Sequence, residues 1–177
     1  VKESGFDAVI LFPQSGPVTE EAWIDAAQER NLGVIVGGLM THKGYTTSDG
    51  GWTTSEGVDK IYDIAASMGV TDFVVPGNKP AKIRLYKAFL EARGKKPVFY
   101  SPGLITQGGK INQAAKIAER WHAIVGRALY NSKNINKARV INTSRTMANK
   151  PDAKDSLIAS RSLVKRVSMV PIGVLSK

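Results

Sequence analysis

The chain has 177 residues, 42% of them hydrophobic, with no cysteine and only His42 and His122 as imidazoles. That is enough for one sizeable domain, excludes disulfides and thiolate metal sites, and gives no expectation of a structural metal. The net charge of +10 is uneven, with 17 Lys and Arg against 13 Asp and Glu up to Lys137 and 8 against 2 from Arg139 onward. The excess therefore sits in a tail without interleaved aromatic residues, and no helix-turn-helix or RNP-like pattern appears, which argues against nucleic acid as the partner.

In chain order, Val1 to Ser4 reads as the end of a helix feeding a strand, with further N-terminal sequence expected before it. Apolar runs of strand length follow at Asp7 to Phe12, Gly33 to Gly37, Asp72 to Val75, Val98 to Tyr100 and Ala123 to Val125. Helical periodicity lies between them, at Thr19 to Arg30, Ser55 to Met68, Pro80 to Arg93 and Ile111 to Trp121. In the first helix Ala22, Trp23, Ala26 and Ala27 share a face at three- and four-residue spacing, which leaves Glu20, Asp25 and Glu29 elsewhere. In the third, Ile83, Tyr86 and Leu90 form the apolar stripe and Pro80 stands near the start, where its missing N–H costs nothing. Continuous apolar strands alternating with helices imply a parallel sheet covered by helices. Five such units fall short of a closed eight-stranded barrel of ~250 residues. No apolar stretch approaches the ~18 residues needed to cross a bilayer, and no charged-then-apolar leader opens the chain, which favours the cytoplasm.

Two glycine-bearing segments stand where strands release the chain. Ser101-Pro102-Gly103-Leu104-Ile105-Thr106-Gln107-Gly108-Gly109 follows Pro97 to Tyr100, and Gly126-Arg127 follows Ala123-Ile124-Val125. Glycine there lets backbone N–H groups approach an anion, and an arginine fork suits phosphate oxygens. The loops after the last two strands of a (β/α)8 barrel are the usual phosphate site.

With Gly5-Phe6-Asp7-Ala8-Val9-Ile10, Met40-Thr41-His42-Lys43-Gly44 and Val74-Val75-Pro76-Gly77-Asn78-Lys79-Pro80, these segments make an ordered series. It resembles the C-terminal part of orotidine 5′-monophosphate decarboxylase, especially the compact archaeal type, over residues 5 to about 138. The resemblance implies an α/β fold of the (β/α)8 TIM-barrel family with about five βα units, a partial barrel over residues 1–138 and a basic tail over 139–177. It implies cofactor-free decarboxylation of orotidine 5′-monophosphate to uridine 5′-monophosphate and a homodimer, with orotate phosphoribosyltransferase as a candidate fused or associated partner. Residue by residue, Thr41 stands for a serine whose hydroxyl meets the pyrimidine amide edge, and Met40 would line the base pocket. Pro102 and Gly103 would shape the closing loop, Gln107 would bridge base and phosphate, and Gly108, Gly126 and Arg127 would complete the phosphate corner. Lys43 replaces the family's proline.

The family's catalytic lysine and aspartates lie in an Asp-x-Lys-x-x-Asp motif on its third strand, expected upstream of Val1. Asp59-Lys60-Ile61-Tyr62-Asp63 is no substitute, because adjacent residues of a helical pattern do not share a strand face. Asp152-Ala153-Lys154-Asp155 lacks the final spacing. The chain alone is therefore expected to be catalytically silent. Sugar-phosphate decarboxylases and synthases of the same superfamily, and a non-catalytic phosphate-ligand or nucleic-acid-binding protein, are the alternatives. In the tail, Ser156 to Val167 is compatible with an amphipathic helix. Absent upstream strands would leave a sheet edge exposed unless other segments cover it.

Overall fold

Backbone hydrogen bonds from Ser4 to Val1 and from Gly5 to Lys2 close turns ahead of the first strand, where the sequence suggested the end of a helix. The computed structural model describes residues 1–126, Asn131, Lys133 and, as backbone alone, 167–169. The order is β1 (Ala8–Leu11), α1 (Pro17–Gln28), β2 (Gly33–Gly37), α2 (Ser55–Ser67), β3 (Asp72–Val74), α3 (Pro80–Glu91), β4 (Val98–Ser101), α4 (Ile111–Ile117), β5 (Arg120–Ala123) and β6 (Val167–Met169). All neighbouring strands are parallel in one sheet ordered β5-β4-β3-β2-β1-β6. The strands β1 to β5 with their four helices form a partial (β/α)8 barrel.

Side chains alternate across the sheet because successive Cβ atoms of a strand point to opposite faces. Val9, Leu11, Val36, Phe73, Val75 and Phe99 meet the helices in the larger core, together with Ile24, Tyr62, Ile83 and Leu90. Ile10, Phe12, Ile35 and Val74 form a second cluster on the opposite, barrel-interior face, against which Met40, Tyr100 and Ile124 pack. Full burial of each large apolar side chain contributes about 1.5–3 kcal/mol. The inner face also carries a polar group: Tyr100 donates to Asp72 Oδ1 at 3.0 Å and stacks on His122 at 4.8 Å. Burial lowers the His122 pKa from its ordinary value, partly offset by the Asp72 charge.

Helix starts follow local chemistry. Pro17 and Pro80 sit in the first turns of α1 and α3, and Thr54 caps α2 by accepting from the Gly57 N–H at 2.9 Å. The stripe Ile83, Tyr86, Leu90 is buried as its spacing indicates.

Three expectations are corrected. The buried face of α1 is Glu20, Ile24 and Ala27, with Trp23 half-buried, while Ala22 and Ala26 are exposed. Ile24, the largest aliphatic side chain of that helix, sets the inward face, and Glu20 one turn earlier is carried in with it. The helix Ile111 to Trp121 ends at Ile117, and β5 starts at Arg120 rather than Ala123. Trp121 belongs to the strand because its indole N–H donates to the buried Ser101 Oγ at 2.8 Å while its backbone is in register with Phe99. Val167 lies in β6 and not at the end of a helix; the rest of the span Ser156 to Val167 lies outside the described residues. β6 covers the outer edge of β1 in register, Ala8 with Val167 and Ile10 with Met169.

Candidate functional site

At the C-terminal ends of β2, β3 and β4 three loops converge on Gly103. This glycine has φ +83°, and a Cβ there would stand 2.7 Å from Thr41 Cγ2, 3.1 Å from Gln107 Oε1 and 3.2 Å from Asn78 Oδ1. Side chains from three separate loops thus surround one backbone position that only glycine fills without strain. Asn78 Nδ2 donates to the Thr41 carbonyl at 3.1 Å, tying the β2 and β3 loops together. Its Oδ1 is buried and has no hydrogen-bond partner among the described residues.

The β4 loop is folded by its own backbone. Gly77 N–H donates to Pro102 O at 2.8 Å, Gly109 N–H to Gly103 O at 3.1 Å and Ile105 N–H to Gly109 O at 2.9 Å. The last two draw Gly103 to Gly109 into a closed turn that contains three left-handed residues, Gly103, Ile105 at φ 63° and Gly108 at φ 84°. Leu104 is the buried anchor of that turn, and Ile105, Thr106, Gln107 and Gly108 stand exposed at its tip. Such a loop holds exposed backbone and an amide side chain over a fixed base, an arrangement suited to covering a ligand.

Beneath it, aromatic hydroxyls brace the strand ends. Tyr62 OH accepts from Leu39 N–H at 3.1 Å and donates to Val74 O at 2.8 Å, bridging β2 and β3. Tyr45 OH donates to Gly38 O at 2.7 Å and accepts from Gln14 Nε2 at 2.8 Å. Burial pushes the Tyr62 hydroxyl pKa well above its ordinary value, so it stays a neutral donor.

Of the residues expected from sequence, Met40, Thr41, Pro102, Gly103, Gln107 and Gly108 lie on this rim. Gly126 is exposed just beyond β5, whose continuation is held to β4 by Ile124 N–H donating to Ser101 O at 3.0 Å. Arg127 lies outside the described residues. Asn78 was not singled out by sequence; its only signal is a polar residue between a Pro-Gly strand exit and the Lys79-Pro80 helix start, which equally describes a turn. Among the described residues no group of three or more His, Asp or Glu is placed to hold a metal ion, and no helix is long and apolar enough to cross a membrane.

Comparison with known proteins places this architecture. Orotidine 5′-phosphate decarboxylase of Methanosarcina barkeri is 30% identical over 138 residues, 78% of this chain and 58% of that protein. The Methanocaldococcus jannaschii enzyme is 31% identical over 129 residues, 72% of this chain and 56% of that protein. The chain therefore spans less than two thirds of the relatives it matches. Among solved structures, the M. jannaschii decarboxylase complexed with the inhibitor BMP superposes with a TM-score of 0.67 at 28% identity, covering 81% of this chain and 62% of that one. The decarboxylase from Pyrococcus horikoshii, at 23% identity and a TM-score of 0.63, shares the fold. The model of the orotidine 5′-phosphate decarboxylase / HUMPS family matches residues 1–141, four fifths of the chain, and the chain belongs to that family.

Proposed function

We propose that this chain supplies the base- and phosphate-binding end of an orotidine 5′-monophosphate decarboxylase acting in pyrimidine biosynthesis, in the cytoplasm and as a homodimer. The observation that carries this reading is the convergence of Thr41, Asn78 and Gln107 around Gly103 at the strand ends. A hydroxyl and two amides offer donors and acceptors together, as reading the edge of a pyrimidine requires. Gly126, exposed beyond β5, offers backbone for a phosphate contact and Arg127 adds a charge-assisted one, while Gly108, whose N–H is donated to Ile105 O, shapes the loop above them.

Decarboxylation at C6 of the pyrimidine leaves electron density on that carbon, and a cationic group must stabilise it and deliver a proton. No Asp-x-Lys-x-x-Asp sequence occurs in the 177 residues. The chain by itself thus binds and orients without turnover, because binding energy remote from the reacting carbon accelerates the reaction only when the charged groups are in place.

Calorimetric titration with 6-azauridine 5′-monophosphate tests the reading. Saturable binding is expected, weakened about five- to hundredfold by Gln107→Ala and by Arg127→Ala. Absence of binding by a demonstrably folded chain would refute it, and preference for a pentulose phosphate would move the assignment to the sugar-phosphate branch. Detectable decarboxylation by the isolated chain would overturn its proposed silence.

A further inference from the structure

Between the N-terminal turn of α1 and the flank of α2 lies a cavity of about 470 Å³ whose lining meets the strand-end site at Gln14, the donor to the Tyr45 brace. Ile61 and Ile64 of α2 form one apolar wall, and Pro13 and Pro17 form another. Trp52 stands at its margin with 97% of its surface exposed, a large flat apolar face left to solvent. Surface tryptophans this bare are uncommon, since the indole buries well and its N–H wants a partner.

Glu20 also lines this cavity. It is only 1% exposed, yet its Oε1 has no hydrogen-bond partner among the described residues. Buried polar atoms are nearly always paired, so an orphaned carboxyl oxygen bordering a cavity marks a place for a ligand group. Burial, reinforced by the neighbouring Glu21 charge, raises the Glu20 pKa from 4.5 to about 8. Near neutral pH the group is therefore mostly a neutral acid, with an O–H donor beside a carbonyl acceptor. The matching chemistry is a lactam edge, an N–H next to a C=O. From α2, Lys60 contributes the other charge lining the cavity, which favours an anionic over a cationic ligand. The loop residues that complete the lining carry no charge.

We propose that this cavity is a second ligand site, for a planar lactam heterocycle bearing an anionic substituent. Glu20 pairs with the lactam edge, Trp52 stacks on the ring and Lys60 meets the anion. The site stands apart from the strand-end reading and does not depend on it.

The test is calorimetric titration of the full chain with inosine 5′-monophosphate at pH about 6.5 and about 8.5, either side of the Glu20 titration. Binding at the lower pH is expected to weaken about fourfold at the higher one, as the acid loses its donor proton. Glu20→Gln, which keeps a donor and an acceptor, should lose the Glu20-dependent fall in affinity and keep only the pH dependence of the ligand's own titration. Glu20→Ala and Trp52→Ala should each weaken binding about tenfold, and Lys116→Ala, an exposed position of α4 outside both sites, should leave it unchanged. Trp52 is exposed, so its replacement tests the site without threatening the fold. No saturable binding, binding indifferent to both Glu20→Ala and Trp52→Ala, or binding lost only in Gln107→Ala would each overturn the proposal.

Discussion

Glu20 illustrates how one side chain can set the pH response of the fold. Its folded pKa of about 8 lies above its ordinary 4.5, so the native state holds a proton that the unfolded chain gives up. Its contribution to stability is then full below about pH 4.5 and is lost as the pH rises through about 8. Chemical denaturation of Glu20→Gln against the parent should show little difference at acid pH and a variant more stable by a few kcal/mol near pH 9. A variant equally stable at both ends would mean the carboxyl is solvated. Gly103 and Tyr62 set the opposite kind of constraint. Gly103→Ala must place a methyl 2.7 Å from Thr41 Cγ2 at a positive φ, and should cost about 1–3 kcal/mol in urea denaturation as well as ligand affinity. Tyr62→Phe strips partners from Leu39 N–H and Val74 O in a fully buried place and should cost about 1–3 kcal/mol. If Tyr62→Phe is silent, water has replaced the hydroxyl.

The helices α2 and α3 and the strand β2 were legible in the sequence because their signals agree. Thr54 caps, Pro80 opens, and Ile83, Tyr86 and Leu90 repeat at helical spacing, so each local preference supports the packing. Two elements were misread for a physical reason. In α1 three alanines suggested the inward face, but alanine carries little apolar area, and Ile24 outweighs them. In β5 the pattern Arg120, Trp121, His122, Ala123 lacks the apolar run of a buried strand, because among the described residues it pairs with β4 alone and buries only Trp121 well. Its stability depends on Trp121. Trp121→Phe should keep the ring's packing but orphan Ser101 Oγ, and amide exchange in β5 should speed up while that in β2 is unchanged. The loop motifs of the candidate site were legible as glycine positions, since each strand exit announces itself. The convergence of Asn78 with Thr41 and Gln107 was not, because it links residues from three loops far apart in sequence.

At the scale of the molecule, an incomplete barrel faces the problem of its open edges. Unpaired N–H and C=O groups along β1 would template association with another chain, and β6 occupies that edge. A chain truncated after Lys133 should therefore associate in a concentration-dependent way, measured by light scattering or sedimentation. A truncated chain that stays as dispersed as the parent would show the edge to be protected by other means. The pairing of β1 with β6 also joins segments separated by almost the whole sequence, Ala8 to Ile10 with Val167 to Met169. Contacts this distant carry the largest loop-closure cost and form late. During synthesis β6 follows β1 only after roughly 160 further residues have been added. Throughout that interval the flank of β1 lacks its β6 partner, and a chaperone or a neighbouring nascent chain has its best chance to bind there.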